Sequence, residues 1–89
     1  MTHPAADLEA QLRPEIDRLR GRADDLAAAV RERHHEALQA LANGEEARAE
    51  QLLSEVNRLN QQCTRANRAW LKLIIRVRNA KQAGDIEIS

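Results

Sequence analysis

The chain has 89 residues, of which 43% are hydrophobic, 31% are charged and one is aromatic. This length corresponds to one small domain, and the composition suits long helices but supplies almost nothing for a β-sandwich or a broad globular core. The formal net charge is zero, so total charge favours no class of partner.

The charges are unevenly distributed along the chain. Residues 1–55 hold twelve of the fourteen acidic side chains and seven arginines, whereas residues 56–84 hold seven basic side chains and no acidic one. The chain is therefore acidic first and basic second. The basic stretch 56–84 is a candidate surface for a partner.

Cellular location is predicted from cysteine content and from the absence of targeting signals. Cys63 is the only cysteine, so no intrachain disulfide forms and a reducing compartment is expected. The first residues lack the basic start and apolar stretch of a signal peptide. The apolar run 70–77 is too short to span a bilayer and is interrupted by Lys72 and Arg76. We expect a cytoplasmic protein that does not enter membranes.

The first predicted element is a helix over about residues 4–42. Its apolar positions recur at helical spacing: Leu8, Leu12, Ile16, Leu19, Ala23, Leu26, Val30, His34, Ala37 and Leu41. Pro14 removes a backbone donor and clashes one turn back, so it kinks or breaks this helix. A break leaves a short extra N-terminal helix over about residues 4–12.

A turn at residues 43–44 and a second helix over about 45–83 follow. Gly44 takes the left-handed conformation that ends helices. Apolar residues then alternate at spacings of three and four, the heptad pattern of packed helices: Ala49, Leu52, Val56, Leu59, Cys63, Ala66, Trp70, Leu73, Val77 and Ala80. Gly84 is expected to end this helix, leaving residues 85–89 as a flexible tail.

The two helices are predicted to form an antiparallel hairpin, giving an all-α fold with residues 1–84 as one domain. A turn at 43–44 places residue i opposite roughly residue 87 − i. This register pairs Ala23 with Cys63 and Ile16 with Trp70. It also brings acidic residues of the first helix near basic residues of the second: Asp7 and Glu9 near Lys81 and Arg78, Glu15 near Lys72, and Asp24 and Asp25 near Arg65.

A two-helix hairpin leaves apolar surface uncovered, because each helix hides only the strip that faces its neighbour. Large aliphatic side chains lie off or beside the predicted seam, namely Leu38, Leu53, Leu71, Ile74 and Ile75. We therefore expect a homodimer in the form of a four-helix bundle or coiled coil. The sequence leaves open a parallel or antiparallel arrangement of the hairpins and a domain swap through the turn.

Catalytic and metal-binding patterns are missing from the sequence. His34 and His35 are adjacent, whereas metal ligands on one helix need spacings of three or four. We expect one histidine to pack at the seam, with His34 loosening that end on protonation, and the other to be solvated. Cys63 is predicted to be a structural seam residue, because no acid or histidine is placed to activate its thiol. We expect no catalytic residue, metal or cofactor, and no enzymatic activity.

The function class that remains is binding. The first hypothesis is a protein–protein interaction module of adaptor, chaperone or inhibitor type, whose partner or oligomer interface comprises Trp70, Leu71, Ile74 and Ile75. The alternative is a dimeric binder of nucleic acid or another anionic ligand, which uses basic side chains of the second helix: Arg65, Arg68, Lys72, Arg76 and Arg78.

Overall fold

Two long helices form an antiparallel hairpin in the computed structural model, which describes the backbone of residues 4–88 and the side chains of 5–83. Helix α1 spans Pro4–Ala42 and helix α2 spans Glu46–Ile88. The hairpin measures 66 × 19 × 14 Å, so it is one layer of two helices. The predicted all-α hairpin is confirmed.

The turn is closed by the glycine that the sequence analysis singled out. Gly44 has a φ of 77°, and the backbone N–H of Glu45 donates to the carbonyl of Ala40 at 2.8 Å while that of Gly44 donates to Leu41 at 3.1 Å. These two bonds satisfy carbonyls that the end of α1 leaves free, which is the Schellman arrangement. The chain thus reverses with only three residues between the helices.

Both predicted interruptions of the helices are absent. Helix α1 is continuous through Pro14, so no separate N-terminal helix forms. Proline deprives the carbonyl of Ala10 of its helical donor, but Ala10 and Pro14 are exposed, where solvent is available to that carbonyl. Helix α2 continues past Gly84 to Ile88, because an internal glycine costs about 1 kcal/mol relative to alanine without forbidding a helix.

The register agrees with the predicted one to within a few residues. The Cys63 thiol donates to the carbonyl of Ala23 at 3.5 Å, as the pairing of these residues predicts. Lys81 Nζ lies 3.0 Å from Glu9, which agrees with the predicted approach of Asp7 and Glu9 to Lys81 and Arg78. Asp24 and Asp25 form no ion pair with Arg65 within the described part of the chain.

Small residues dominate the seam near the turn. Buried residues run the length of the hairpin, and the core consists of Ala5, Ile16, Ala23, Ala37, Ala40, Ala49, Leu52, Val56, Ala66 and Val77. Four of them, two from each helix, form one cluster beside the turn: Ala37, Ala40, Ala49 and Leu52. Three of these four residues are alanines, so small side chains fill most of the seam there.

Two seam assignments next to the turn were wrong. Leu41 is exposed and Ala40 is buried in its place, and His34 is exposed instead of packed at the seam. His35 is exposed as well, and its ring Nε2 lies 3.2 Å from Gln39 Nε2. Ala40 belongs to the buried cluster beside the turn, and adjacent residues of a helix point about 100° apart, so Leu41 points away from that cluster.

Candidate functional site

Three of the four predicted interface residues are exposed aliphatic side chains. Leu71, Ile74 and Ile75 are 43%, 39% and 53% exposed. They lie within about one turn of α2, in the half of the hairpin away from the turn. We call these three residues the open-end cluster.

Trp70, the fourth predicted interface residue, is partly buried and held by the hairpin itself. The Arg20 guanidinium carbon lies 5.3 Å from the centroid of its indole ring, which is the geometry of a cation–π contact between α1 and α2. Its indole Nε1 donates to Asn67 Oδ1 at 2.8 Å, and Asn67 in turn donates to the Cys63 sulfur at 3.7 Å. Trp70 therefore belongs to the seam and borders the open-end cluster.

A second apolar cluster lies beside the turn. Leu38, Leu41 and Leu53 are 52%, 50% and 38% exposed, and we call them the turn cluster. Leu38 and Leu53 were predicted to lie off the seam, whereas Leu41 was predicted to lie in it. Since Leu41 directly follows Ala40, the pattern alone offered no signal to choose between the two.

Residues of both clusters lie on one side of the hairpin. Leu53 and Ile74 are 21 residues apart on α2, or three heptads, so they point in the same direction from a supercoiled helix. Leu41 occupies the matching position beside the seam on α1, four residues after Ala37. The face on which these positions meet also holds Arg20 and Ile74, which line one cleft. We call this face, which holds Leu41, Leu53 and Ile74, the apolar side.

The apolar side includes a groove that the sequence analysis missed. It has a volume of about 620 Å³ and is lined by α1 residues around the internal proline: Ala6, Glu9, Ala10, Arg13, Pro14 and Asp17. The small side chains of Ala6, Ala10 and Pro14 recur at every fourth position, and this spacing is the signal that was available in the sequence. The groove is suited to receive an aliphatic side chain.

Three of the five predicted basic residues line a second groove. Arg65, Arg68 and Lys72 line a groove of about 420 Å³ whose walls also include Leu19, Ala69, Leu73 and Glu15. Arg76 and Arg78 are exposed and lie outside this groove. None of the five predicted basic residues forms an ion pair with another residue that the structure describes. We call Arg65, Arg68 and Lys72 with their groove the basic groove.

Among the described residues one carboxyl group has a shifted pKa, and it belongs to one of the two ion pairs between the helices, Glu9–Lys81 and Arg33–Glu55. The hydrogen bond and charge of Lys81 hold the pKa of the Glu9 carboxyl below its usual value, and Arg13 adds to this effect. Among the described residues, no three histidine, cysteine or acidic side chains come together where they would hold a metal ion. Cys63 is a half-buried free thiol in the seam.

Comparisons with known proteins show no relationship. No family model, no curated protein and no solved structure matches the chain. Neither of the two described helices has a stretch that is long and apolar enough to cross a membrane. A function for this chain is therefore inferred from the surface of the hairpin.

Proposed function

We propose that the protein is a small protein–protein interaction module, of adaptor, chaperone or inhibitor type, that acts by binding. Two hairpins assemble through their apolar sides into a dimeric four-helix bundle, and the basic surface of α2 stays accessible to a partner. The observation that carries this proposal is the exposure of six large aliphatic side chains, which form the turn cluster and the open-end cluster.

The energetics of burial support association. Transferring one large aliphatic side chain from water to a packed interior is worth about 1.5–3 kcal/mol, so partial burial of six such residues is worth several kcal/mol. A hairpin of two helices has no third element to cover them, and within the described side chains no large residue is fully buried. A second pair of helices supplies the missing layer of core.

The test is absolute mass by light scattering behind a sizing column, on the unmodified protein and on Leu71→Glu/Ile75→Glu. We expect a dimer for the first and a folded helical monomer for the second, because charges placed in the open-end cluster prevent its burial. The matched control is Gln51→Glu/Asn79→Glu, which adds the same charge to exposed positions of α2 outside the apolar side and should stay dimeric. A monomeric unmodified protein would contradict the proposed dimer.

The alternative function is binding of nucleic acid or another anionic ligand. It is favoured by the basic groove, whose three cations lack ion-pair partners among the described residues. Phosphate binding releases counterions and weakens steeply with salt, whereas an apolar docking surface is nearly insensitive to salt.

The two functions separate by substitution as well. An anion binder should lose affinity on Arg65→Gln/Arg68→Gln and keep it on Arg18→Gln/Arg48→Gln, which removes two arginines that are already paired with Glu15 and Glu45. A protein-binding module should keep its partner in both variants at moderate salt and lose it on Ile75→Glu. A cytoplasmic location and the absence of enzymatic activity remain part of the proposal, for the reasons given by the sequence.

A further inference from the structure

We infer that the second copy of the chain covers the apolar side in an antiparallel arrangement, with the turn of one hairpin over the open end of the other. This inference rests on the proposed dimer and specifies how its two subunits are oriented. Three independent features of the hairpin favour it: the distribution of charge, the spacing of the clusters, and the residues that the arrangement brings together.

The hairpin is an electric dipole along its length. The turn half, residues 23–66, contains eight carboxylates and five arginines, a net charge of −3. The open half, residues 1–22 and 67–89, contains nine basic and six acidic side chains, a net charge of +3. An antiparallel dimer places opposite charges against each other at both ends, whereas a parallel dimer places like charges together.

In the antiparallel arrangement one leucine of each cluster meets on α2. A twofold axis across the middle of the hairpins stacks α2 on the α2 of the second copy. We choose the register that places Leu53 opposite the second copy's Leu71. In this register, opposed α2 residues have numbers that add to 124. The same register places Glu46 opposite Arg78, and neither of these residues forms an ion pair with another described residue of its own hairpin. It brings Asn60 opposite Thr64 at the centre, where both are small enough for close packing.

The register on α2 also fixes which α1 residues of the two copies lie opposite each other, and these residues are complementary in charge and shape. Residues opposite each other within the hairpin have numbers that add to about 89, as in the Ala40–Ala49 pair beside the turn. Opposed α1 residues therefore have numbers that add to about 54. This places Asp24 near the second copy's Arg31, and Leu41 over the groove that contains Pro14.

The area available is adequate for a stable dimer. In this register the hairpins overlap along about three quarters of their 66 Å length and across a width of 19 Å. The footprint is on the order of 900 Å² per copy, close to the roughly 800 Å² per partner that stable interfaces bury.

The arrangement is tested by a distance between spin labels measured by double electron–electron resonance. The label is placed at Ala42→Cys in a Cys63→Ala background, at the exposed end of α1 and away from the seam. In the antiparallel dimer the two labels are separated by about 30 residues of helix, or roughly 45 Å, whereas a parallel dimer places both turns at one end, within roughly 20 Å. The control is the same label in Leu71→Glu/Ile75→Glu, which should show no discrete distance.

The outcomes are distinct. A distance near 45 Å supports the antiparallel arrangement. A distance below about 25 Å overturns it and leaves the proposed dimer intact, while the absence of a discrete distance in the labelled parent overturns both.

A charge swap checks the same register by a second measurement. Asp24→Arg and Arg31→Asp should each weaken the dimer roughly three- to ten-fold, because two symmetric pairs are lost. The double variant should restore it. Failure of the double variant to recover affinity would count against this register.

Discussion

The seam between the two helices is packed with side chains of different size at the two ends of the hairpin. Beside the turn, three alanines and Leu52 form the seam while Leu38, Leu41 and Leu53 are exposed, whereas in the open half Ile16, Val77 and the partly buried Trp70 fill the seam. The seam beside the turn is therefore filled mostly by small side chains, and the seam of the open half by larger ones.

This difference explains where apolar surface becomes available for binding. The turn cluster is exposed because Ala37, Ala40, Ala49 and Leu52 already fill the seam beside it. The open-end cluster is exposed because α2 carries more aliphatic residues than one neighbouring helix can cover. Two causes thus produce apolar surface at the two ends of the hairpin, and the antiparallel dimer would bury each cluster under the opposite end of the second copy.

The largest change in stability is expected when a large seam residue in the open half is truncated. Ile16→Ala should lower the free energy of unfolding by about 2–3 kcal/mol, because it removes a buried side chain and leaves a cavity between the helices. Thermal or urea unfolding followed by circular dichroism, at one fixed protein concentration, measures this change. A loss below about 1 kcal/mol would show that the open half collapses around the gap and that its seam is loosely packed.

A larger side chain in the seam beside the turn should also lower the free energy of unfolding, by a smaller amount and through overpacking instead of a cavity. Ala37→Leu should lower the free energy of unfolding by about 1–3 kcal/mol through overpacking, since Ala37 is 0% exposed in the alanine cluster. Ala42→Leu is the matched control, because the same side chain is added at an exposed position of the same helix. Equal unfolding midpoints for the two variants would disprove the close approach of the helices at the turn.

Alanine substitutions at two glycines should change the free energy of unfolding in opposite directions. Gly44→Ala should destabilise the hairpin by about 1–2 kcal/mol, because Gly44 has a φ of 77° that disfavours any residue with a Cβ atom. Gly21 lies inside α1, and no neighbouring atom lies within 4 Å of the position that an alanine methyl would occupy there. Gly21→Ala should therefore stabilise the hairpin by up to about 1 kcal/mol. Chemical denaturation of both variants provides the comparison, and a stabilising Gly44→Ala would refute the assigned turn conformation.

The smallest expected effect is a pH dependence in the open half. The folded-state pKa of Glu9 is lowered by Lys81, so their interaction stabilises the fold above the ordinary carboxyl pKa of about 4.3 and is lost as the pH falls through the lowered value. Lys81→Gln should therefore be slightly less stable than the parent at pH 7, and the two should converge once the pH falls below the lowered pKa of Glu9. A difference that persists at low pH would assign another role to Lys81.

Much of the fold was predictable because it depends on local and periodic properties. The heptad spacing of α2 marked Val56, Ala66 and Val77 as seam residues, and all three are buried. Gly44 was recognisable because few other residues adopt its conformation cheaply. The aliphatic residues of the open-end cluster were identified from their positions off the seam.

The sequence by itself determined two helices, the position of the turn, the approximate register and the excess of apolar residues on α2. Those features follow from backbone conformation and side-chain periodicity, which each helix carries alone. Only the tertiary structure decided that Ala40 is buried in place of Leu41, that His34 is exposed, and that Arg20 covers Trp70. These outcomes depend on the distance between the two helices and on what each residue meets across the seam, and no helix specifies that distance without its neighbour.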